Sequence, residues 1–437
     1  MRVVVIGSGV TGAAAAYELA RSGAQTVLVD ADFAGRATAA GAGIICPWSS
    51  RETDPDWHRI ATAGAEFYPA LLAALEEDAE AAGPGPAPGS GPGGFTVPGL
   101  AHGQSAGHGP GHGPGIGAVA GVGPRSAGPE GVAGTGYRRV GALRLLEEHE
   151  ADAVFAQTAE RAARSPQAGS VSLCDGARAR ALFPPLRHEG PVLHLTGAAR
   201  VDGRLLDAAL RRGAAGHGAR TVTGDATIAT RGDRATGVRV NGELIPADAV
   251  VAAAGAWSPQ LLGPLGVPVP VAPQRGQIVH LRLPGTDTSD WPVVFPRSRH
   301  YLLTFDDSRV VVGATREDGS GFDHRVTAAG VAEVLHEALA VAPGLAGATH
   351  VETRVGFRPV GPDALPLLGR VPQYEGLIVA NGLGASGLTI GPYAGTLAAR
   401  LALGRDPGMD LTPYDPLRAS TPAAPSRSNE HPAAHDM

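Results

Sequence analysis

The 437-residue chain contains no lysine: all 36 of its residues with a permanent positive side-chain charge are arginine. Without lysine there is no Schiff base to pyridoxal phosphate and no P-loop lysine for a nucleotide phosphate. Cysteine is nearly absent as well, since Cys46 and Cys174 are far apart and form no C-x-x-C pair. The sequence therefore argues against a disulfide scaffold, a thiolate zinc site and a dithiol flavin reductase.

The sequence also lacks an excess of positive charge and a long apolar run. Its net charge of −6 provides no basic surface field, so nucleic acid and anionic membranes are not expected as partners. The apolar stretch over 3–20 contains glycines and is interrupted near its end by Glu18 and Arg21, and no later run of about 20 apolar residues follows. We expect a soluble, cytoplasmic protein with two domains and no integral membrane segment, and its oligomeric state stays open.

Residues 83–136 consist mainly of glycine, proline and alanine with scattered histidines. Such a segment buries too little apolar surface to offset the entropy lost on ordering. His102, His108 and His112 have no acid or thiol beside them, so we expect a solvated linker and no metal site. The composition predicts a disordered insertion over 83–136 and, for the same reason, a disordered tail over 412–437.

The first thirty residues have the pattern of a strand, a helix and a second strand. An apolar run ends at Gly7-x-Gly9-x-x-Gly12, a helix follows, and a second apolar run ends at Asp30. The three glycines allow a tight turn, a close approach to a pyrophosphate and close packing of the helix on the strand. The phosphates would lie on the helix N-terminus, and Asp30 would accept hydrogen bonds from a ribose. The motif predicts a bound dinucleotide but does not distinguish NAD from FAD.

Three later stretches are typical of backbone that comes close to a ligand. Residues 33–45 are small residues followed by apolar ones, which suits a loop that donates N–H groups. Residues 249–258 and 376–382 are each a buried apolar strand that ends in glycine. The second of these leads through a turn into a helix that we expect to begin near Gly387 and end at Leu403.

Residues 267–315 have a different pattern. Four short strands over 276–283, 292–295, 300–305 and 309–313 follow one another with no helix between them. This pattern predicts an antiparallel sheet and therefore a second domain. The expected fold class is α/β, with a Rossmann-like dinucleotide-binding domain and a second α+β domain built on an antiparallel sheet.

In this order the motifs resemble those of the D-amino-acid oxidase-like FAD-dependent oxidoreductases, which include glycine oxidase, D-amino acid dehydrogenase and sarcosine oxidase. The resemblance covers about 1–82 and 137–411. Besides the N-terminal strand–helix–strand unit, it rests on GRATAA at 35–40, AGAWS at 254–258, PQRGQ at 273–277, VGAT at 312–315 and GFRPVGPDALPLLG at 356–369.

The resemblance implies FAD as the cofactor, with its ADP half on the first βαβ unit. The N-terminus of the last helix would point at the pyrimidine edge of the flavin, where its positive dipole end stabilises charge on the reduced ring. The FAD should be non-covalent, because relatives with covalent flavin have a cysteine where this chain has Gly356. The implied FAD-binding residues are Gly7, Gly9, Val10, Thr11, Gly12, Asp30, Arg36, Thr38, Ala39, Gly43, Ile44, Gly255, Trp257, Gly384, Ala385, Ser386, Gly387, Leu388 and Thr389.

The resemblance also implies two catalytic residues. The family's substrate arginine falls on Arg358, whose planar guanidinium can hold an α-carboxylate through two parallel bonds. Tyr301 matches the active-site tyrosine of glycine oxidase. The second substrate arginine of glycine oxidase is replaced by Ala385, which argues against a substrate restricted to glycine.

The implied domain division is discontinuous. The FAD-binding domain is expected to comprise 1–47, 175–265 and 350–411, and the substrate domain 48–82, 137–174 and 266–349.

The leading functional hypothesis is oxidative deamination of a D-amino acid, glycine or an N-alkyl amino acid. Hydride would pass from Cα–H to flavin N5, and water would hydrolyse the imine to a 2-oxo acid and ammonia or an amine. Electrons would then leave to O2, a quinone or another carrier. An NAD(P)-dependent dehydrogenase and a non-catalytic flavin-binding protein are the alternatives.

Overall fold

The structure, a computed structural model, describes residues 1–81 and 134–418. In chain order the strands in these residues are β1 (Arg2–Ile6), β2 (Gln25–Asp30), β3 (Ile44–Ile45), β4 (Arg138–Arg139), β5 (Ala142–Leu145), β6 (Val171–Cys174), β7 (Val192–Leu195), β8 (Ala199–Arg200), β9 (Arg220–Thr223), β10 (Ala226–Arg231), β11 (Arg234–Val240), β12 (Glu243–Pro246), β13 (Ala249–Ala252), β14 (Ala272–Arg282), β15 (Val293–Phe295), β16 (Tyr301–Thr304), β17 (Arg309–Gly313), β18 (Thr349–Val360), β19 (Leu367–Arg370) and β20 (Leu377–Asn381). The α-helices are α1 (Val10–Arg21), α2 (Ala37–Ala40), α3 (Pro55–Ala81), α4 (Glu148–Ala163), α5 (Gly176–Leu182), α6 (Gly203–Gly216), α7 (Ser258–Leu262), α8 (Ala328–Val341) and α9 (Gly387–Ala402).

A six-stranded sheet confirms the predicted Rossmann-like unit. Its strand order is β19-β20-β13-β1-β2-β9, and all neighbours are parallel except β19 and β20. The central strands read as continuous apolar runs because both faces of the sheet are covered, one by helices that include α1 and α9 and the other by strands β10 and β11. The two stretches predicted to end in glycine, 249–258 and 376–382, supply β13, which pairs with β1, and β20, which pairs with β13. Three chain segments distant in sequence therefore deliver their carboxyl ends to one edge.

Helix α9 crosses α1 and α3 at very short distance, and glycine makes both crossings possible. A Cβ atom on Gly395 would lie 2.2 Å from the Thr11 carbonyl oxygen, and one on Gly64 would lie 2.4 Å from that of Thr389. Either methyl group would force the helices apart, so alanine is excluded at both positions without rearrangement. These contacts hold the start of α9 next to the start of α1.

The second large sheet has eight strands in the order β18-β14-β17-β16-β15-β5-β7-β6. The predicted strands over 276–313 form its centre and are antiparallel, whereas β15 pairs with β5 in parallel. Long strand β14 pairs with β18 over its full length. Val334 and Ala338 of α8 pack in one core cluster with the apolar residues of this sheet. The fold class is therefore α/β, with the predicted second domain built on a mostly antiparallel sheet.

The sheets differ from the expected domain boundaries at two places. Strands β7 and β18 belong to the eight-stranded sheet, although 175–265 and 350–411 were assigned to the FAD-binding domain. The sequence of a strand carries little information about which sheet it joins, because its partners are distant in sequence.

Part of the chain predicted to be disordered is ordered. Tyr414, in a single 3-10 turn, is fully buried, and its hydroxyl donates to the Asp56 carbonyl at 2.7 Å. Gly136 accepts a hydrogen bond from the buried Arg200 at 3.0 Å. The predicted disorder is therefore wrong for 134–136 and 412–418, where individual side-chain contacts outweigh composition. The rest of both predicted segments, 83–133 and 419–437, lies outside the described residues.

Candidate active site

A cavity of about 720 Å³ is lined by residues from both large sheets. Its size is that of a site for a cofactor together with a small ligand. Three of the predicted site residues, Gly12, Asp30 and Ala39, do not line it. Those that do are Gly7, Gly9, Val10, Thr11, Arg36, Thr38, Gly43, Ile44, Gly255, Trp257, Tyr301, Arg358, Gly384, Ala385, Ser386, Gly387, Leu388 and Thr389.

The start of α1 forms one end of the cavity, here called the nucleotide end. Gly7 has φ +99°, and a Cβ there would lie 2.3 Å from the Ala253 carbonyl oxygen. A Cβ on Gly12 would lie 1.9 Å from the Gly7 carbonyl oxygen, so Gly12 serves helix packing rather than the cavity wall. No side chain caps this helix at Gly9; the Val10 N–H donates to Thr38 Oγ1 at 3.0 Å, and the N–H groups that follow it in the first turn are left for an anion. These features fit the pyrophosphate of a dinucleotide.

Asp30 lies behind this end of the cavity. Its carboxylate accepts hydrogen bonds from the Ser8 hydroxyl, from the Asp32 N–H at 2.7 Å and from Arg36 Nη1 at 3.1 Å. The carbonyl of Ala39 accepts a bond from Arg204 Nε at 3.0 Å. Contact of Asp30 with a ribose and of Ala39 with FAD both stay predictions.

The turn before α9 and the first residues of that helix line the cavity beyond the nucleotide end. No side chain caps α9 at Ser386. Pro392, inside the helix, has no N–H to donate to the Leu388 carbonyl four residues earlier. The hydroxyl of the fully buried Tyr68 donates to that carbonyl instead. An uncapped, rigidly held helix start of this kind fits the predicted position beside an electron-rich ring edge.

Arg358 and Tyr301 lie together on one face of the eight-stranded sheet, at the end of the cavity here called the substrate end. The ring of Tyr301 covers Gly313, and the guanidinium of Arg358 covers Gly276. Arg358 Nη1 donates to the Thr315 carbonyl at 3.0 Å and to Gln274 Oε1 at 3.3 Å. Glycines on the neighbouring strands thus leave space for both side chains, and the sheet brings together the two residues that were predicted to be catalytic.

Burial changes the pKa of both groups. Desolvation lowers the pKa of the Arg358 guanidinium, and the neighbouring Tyr301, Asp318 and Glu317 oppose that change. Desolvation raises the pKa of Tyr301, while the positive charges of Arg358 and Arg316 lower it. Because arginine keeps its proton in proteins, the site presents a charged guanidinium beside a neutral phenol at neutral pH. In the described residues no carboxylate forms an ion pair with Arg358.

Four further arginines line the cavity and were missed by sequence reasoning: Arg51, Arg144, Arg299 and Arg316. Arg51 joins two loops, since its guanidinium donates to the carbonyls of residues 296, 297 and 298 at 2.8 to 3.0 Å. In a chain whose only base is arginine, a single arginine carries little information. Two of these arginines could have been identified by their positions in the sequence, because Arg316 directly follows the VGAT motif and Arg299 precedes Tyr301 by two residues.

Trp257, predicted to contact the cofactor, lies in an aromatic cluster. Its ring stacks on Phe322 at 5.0 Å between centroids and lies 5.3 Å from Phe33. Phe357 meets it edge-on at 6.0 Å. The cluster gives this side of the cavity an apolar wall, and the sequence had not indicated its three phenylalanines.

Within 1–81 and 134–418, no group of three or more histidine, cysteine or acidic side chains could hold a metal ion. In the same residues no helix has the length and apolar character that crossing a membrane requires.

Comparison with known proteins gives consistent matches. The family model described as DAO, FAD dependent oxidoreductase, matches residues 2–85 and 128–401. The uncharacterized oxidoreductase YurR of Bacillus subtilis is 39% identical over 418 residues, which cover 95% of this chain and 98% of YurR. Several curated glycine oxidases and D-amino acid dehydrogenases match over about half of this chain.

Two solved structures share the fold along nearly the whole chain. Iminodiacetate oxidase from Chelativorans sp. BNC1 is 44% identical with a TM-score of 0.80, over 95% of this chain and 99% of that one. Glycine oxidase from Geobacillus kaustophilus is 25% identical with a TM-score of 0.74, over 96% and 99% of the two chains. This chain therefore belongs to the DAO family of FAD-dependent oxidoreductases.

Proposed function

We propose that this protein oxidises a C–N bond next to a carboxylate, in an amino acid that is either primary or N-substituted. One observation carries the proposal: the guanidinium of Arg358 is held in the cavity by neutral groups alone, the Thr315 carbonyl and Gln274. A desolvated cation without an ionic partner is unfavourable by itself and favours an anionic ligand. The names of the relatives, glycine oxidase and iminodiacetate oxidase, support a carboxylate next to an amine as that ligand.

The protein residues position the substrate. Arg358 would bind the α-carboxylate through two parallel, charge-assisted bonds, and the neutral Tyr301 would hold the guanidinium and donate to the same carboxylate. A carboxylate fixed at two points limits rotation, so that Cα–H is presented to one face of the cofactor. Bound FAD would accept the hydride at N5, and water would hydrolyse the released imine. The electrons would then leave to O2, a quinone or another carrier.

The substrate range extends beyond glycine. Ala385 stands where glycine oxidase is expected to have its second substrate arginine, and it lines the cavity. A small side chain at this position leaves room for a substituent on the substrate nitrogen or on Cα. We therefore favour an N-substituted amino acid, in agreement with the substrate in the name of iminodiacetate oxidase.

Two other functions, an NAD(P)-dependent dehydrogenase and a non-catalytic flavin-binding protein, were left open by the sequence. The family match contradicts an NAD(P)-dependent dehydrogenase. A flavin-binding protein without turnover would have the same fold, so only chemistry separates it from an enzyme. Anaerobic mixing of the yellow holoprotein with D- and L-amino acids, glycine and N-alkyl amino acids should bleach the flavin for at least one substrate class. A flavin that stays oxidised with every compound would support the non-catalytic alternative.

Arg358 variants test the role of the carboxylate. The paired bonds should contribute about 2–4 kcal/mol, or roughly 30-fold to 1000-fold in kcat/KM. Arg358→Lys keeps the charge without the fork and should be clearly impaired, and Arg358→Leu should be worse, while both retain FAD. Arg370→Lys is a matched control, because Arg370 donates to the Leu401 carbonyl and does not line the cavity. Amines without a carboxylate should be poor substrates for wild type, and their kcat/KM should fall little further in the Arg358 variants. If kcat/KM falls equally for substrates with and without a carboxylate, Arg358 does not bind the carboxylate.

A further inference from the structure

Arg316 and Arg299 place additional positive charge beside Arg358. Arg316 Nη1 donates to the Arg299 carbonyl at 2.9 Å, and Arg358 Nη1 donates to the carbonyl of Thr315, the residue before Arg316. Arg299 is separated from Tyr301 by one residue. All three arginines line the cavity, and the charges of Arg358 and Arg299 both act on Arg316, which itself interacts with Tyr301, so they form one cationic cluster next to the tyrosine.

Among the described residues no carboxylate forms an ion pair with this cluster, although Asp318 and Glu317 act on Arg358 from a greater distance. In the part of the chain that the structure describes, neither Arg316 nor Arg299 forms an ion pair with a carboxylate, and both side chains remain accessible. The two acidic residues in the described cavity wall, Glu52 and Asp363, have other partners: backbone N–H groups for Glu52 and Arg418 for Asp363. Desolvation and the repulsion from Arg358 and Arg299 lower the pKa of Arg316 to about 10. Like charges at short range are unfavourable until an anion joins them.

The charge of the cofactor lies elsewhere. Phosphates would lie at the start of α1, where Gly7, Gly9 and Arg36 line the nucleotide end. Arg299 and Arg316 belong to the loops that flank β16 and β17 on the eight-stranded sheet, beside the substrate residues. The anion that these two arginines accommodate should therefore be part of the substrate.

We infer that Arg316, supported by Arg299, binds a second carboxylate of the substrate, so that the preferred substrate is an amine with two carboxylates. This inference rests on the proposed function, in which Arg358 binds the first carboxylate. The second carboxylate can be on the substituent of nitrogen, as in iminodiacetate, or on a side chain, as in aspartate. The guanidinium groups of Arg358 and Arg316 would hold such a substrate by both ends, with the reactive C–N bond between them.

Binding of unreactive acids tests the inference without turnover. Glutarate has the length of iminodiacetate with a methylene in place of the amine, and butyrate lacks the second carboxylate. Each is titrated into the oxidised holoenzyme, and the change in flavin absorbance gives the Kd. Arg316→Gln should weaken glutarate binding by roughly 10-fold to 100-fold and change butyrate binding by less than about 2-fold. Arg358→Gln should weaken both.

Two variants keep the binding test interpretable. Arg297→Gln is the matched control, because Arg297 is on the same loop, pairs with Glu147 and does not line the cavity. It should leave both Kd values unchanged. Arg316→Lys retains the charge, so its Kd for glutarate should lie between those of wild type and Arg316→Gln. This variant also keeps the binding test possible if Arg316→Gln loses its flavin. The inference would be overturned if Arg316→Gln and Arg316→Lys changed the Kd of glutarate and the Kd of butyrate to the same extent, or changed neither Kd.

Reduction of the flavin then distinguishes the sources of the second carboxylate. Anaerobic reduction is compared for iminodiacetate, D-aspartate, L-aspartate and sarcosine. The inference predicts that Arg316→Gln lowers kcat/KM for the dicarboxylic substrate by 10-fold or more and leaves kcat/KM for sarcosine nearly unchanged. If none of these amines reduces the flavin while glutarate binding still depends on Arg316, the proposed function fails and the second carboxylate site stands. If they reduce it and Arg316→Gln affects all equally, the site fails and the proposed function stands.

Discussion

The guanidinium of Arg358 lies directly over Gly276, where a Cβ atom would come within 2.6 Å of both terminal nitrogens. The two residues are on paired strands, since Gly276 of β14 is opposite Gly356 of β18, two positions before Arg358. The orientation of the Arg358 guanidinium therefore depends on the absence of a side chain on the neighbouring strand.

Gly276→Ala should displace this guanidinium while the protein still folds, because the obstructed group is the end of a flexible side chain. A shift of about 1 Å in a binding group can lower activity by roughly 100-fold, so we expect a loss of 10-fold to 100-fold in kcat/KM with flavin content retained. Gly347→Ala is the control, since a Cβ there would meet nothing within 4 Å. Wild-type kinetics for Gly276→Ala would mean that Arg358 does not act from this position.

Tyr68→Phe should weaken both the fold and the retention of FAD. The Tyr68 hydroxyl donates to the Leu388 carbonyl, which has no helical N–H partner because residue 392 is proline. Without that hydroxyl the buried carbonyl would be unpaired, at a cost of about 1–3 kcal/mol. We expect a lower Tm and faster loss of flavin on dilution, because Leu388 lines the cavity. Tyr414→Phe removes a comparable buried bond, to Asp56, away from the cavity, and should lower Tm without releasing flavin. Equal flavin loss in the two variants would contradict the role of Tyr68 at α9.

Asp207 should make stability depend on pH. Desolvation raises its pKa from the ordinary 3.8 to about 6, and its Oδ1 has no hydrogen-bond partner among the described residues. The folded state therefore binds the proton more tightly than the unfolded state does. The stabilisation of the fold by this proton is complete below about pH 4 and is lost as the pH rises through about 6. Asp207→Asn, which resembles the neutral form, should raise Tm at pH 8 and have a smaller effect at pH 5.

The exposed Asp152 on α4 provides the control for that comparison. Asp152→Asn should shift Tm little at either pH. A Tm gain for Asp207→Asn that is the same at pH 5 and pH 8 would contradict the raised pKa of this carboxyl.

FAD should be released by acid precipitation and leave the yellow colour in the supernatant. A Cβ on Gly356 would lie 2.7 Å from the Cβ of Ala40, so this position has no room for the cysteine of the covalent relatives. Cys46 does line the cavity, but burial raises its pKa to about 11 and keeps the thiol protonated. Colour in the pellet would contradict the prediction, and Cys46→Ala would then show whether that thiol forms the bond.

The sequence by itself determined the features whose signals are local. The glycine spacing at 7, 9 and 12 specifies a turn that has no room for a Cβ atom at Gly7 or Gly12, and apolar periodicity distinguishes the parallel strands from the short antiparallel ones. For the same reason helix α9 begins at the predicted Gly387 and ends one residue before the predicted Leu403. Arg358 and Tyr301 were found through their motifs, not through any property of an isolated arginine or tyrosine.

Only the tertiary structure decided which distant residues share a surface. Strands β7 and β18 joined the second sheet, and Tyr414 was buried, because pairing and burial depend on partners far away in the chain. The cationic cluster of Arg299, Arg316 and Arg358 has the same origin: strand pairing brings together residues up to 59 positions apart. Electrostatic interaction depends on distance in space and on burial, and neither can be read from arginines in a chain that contains no other permanent cation.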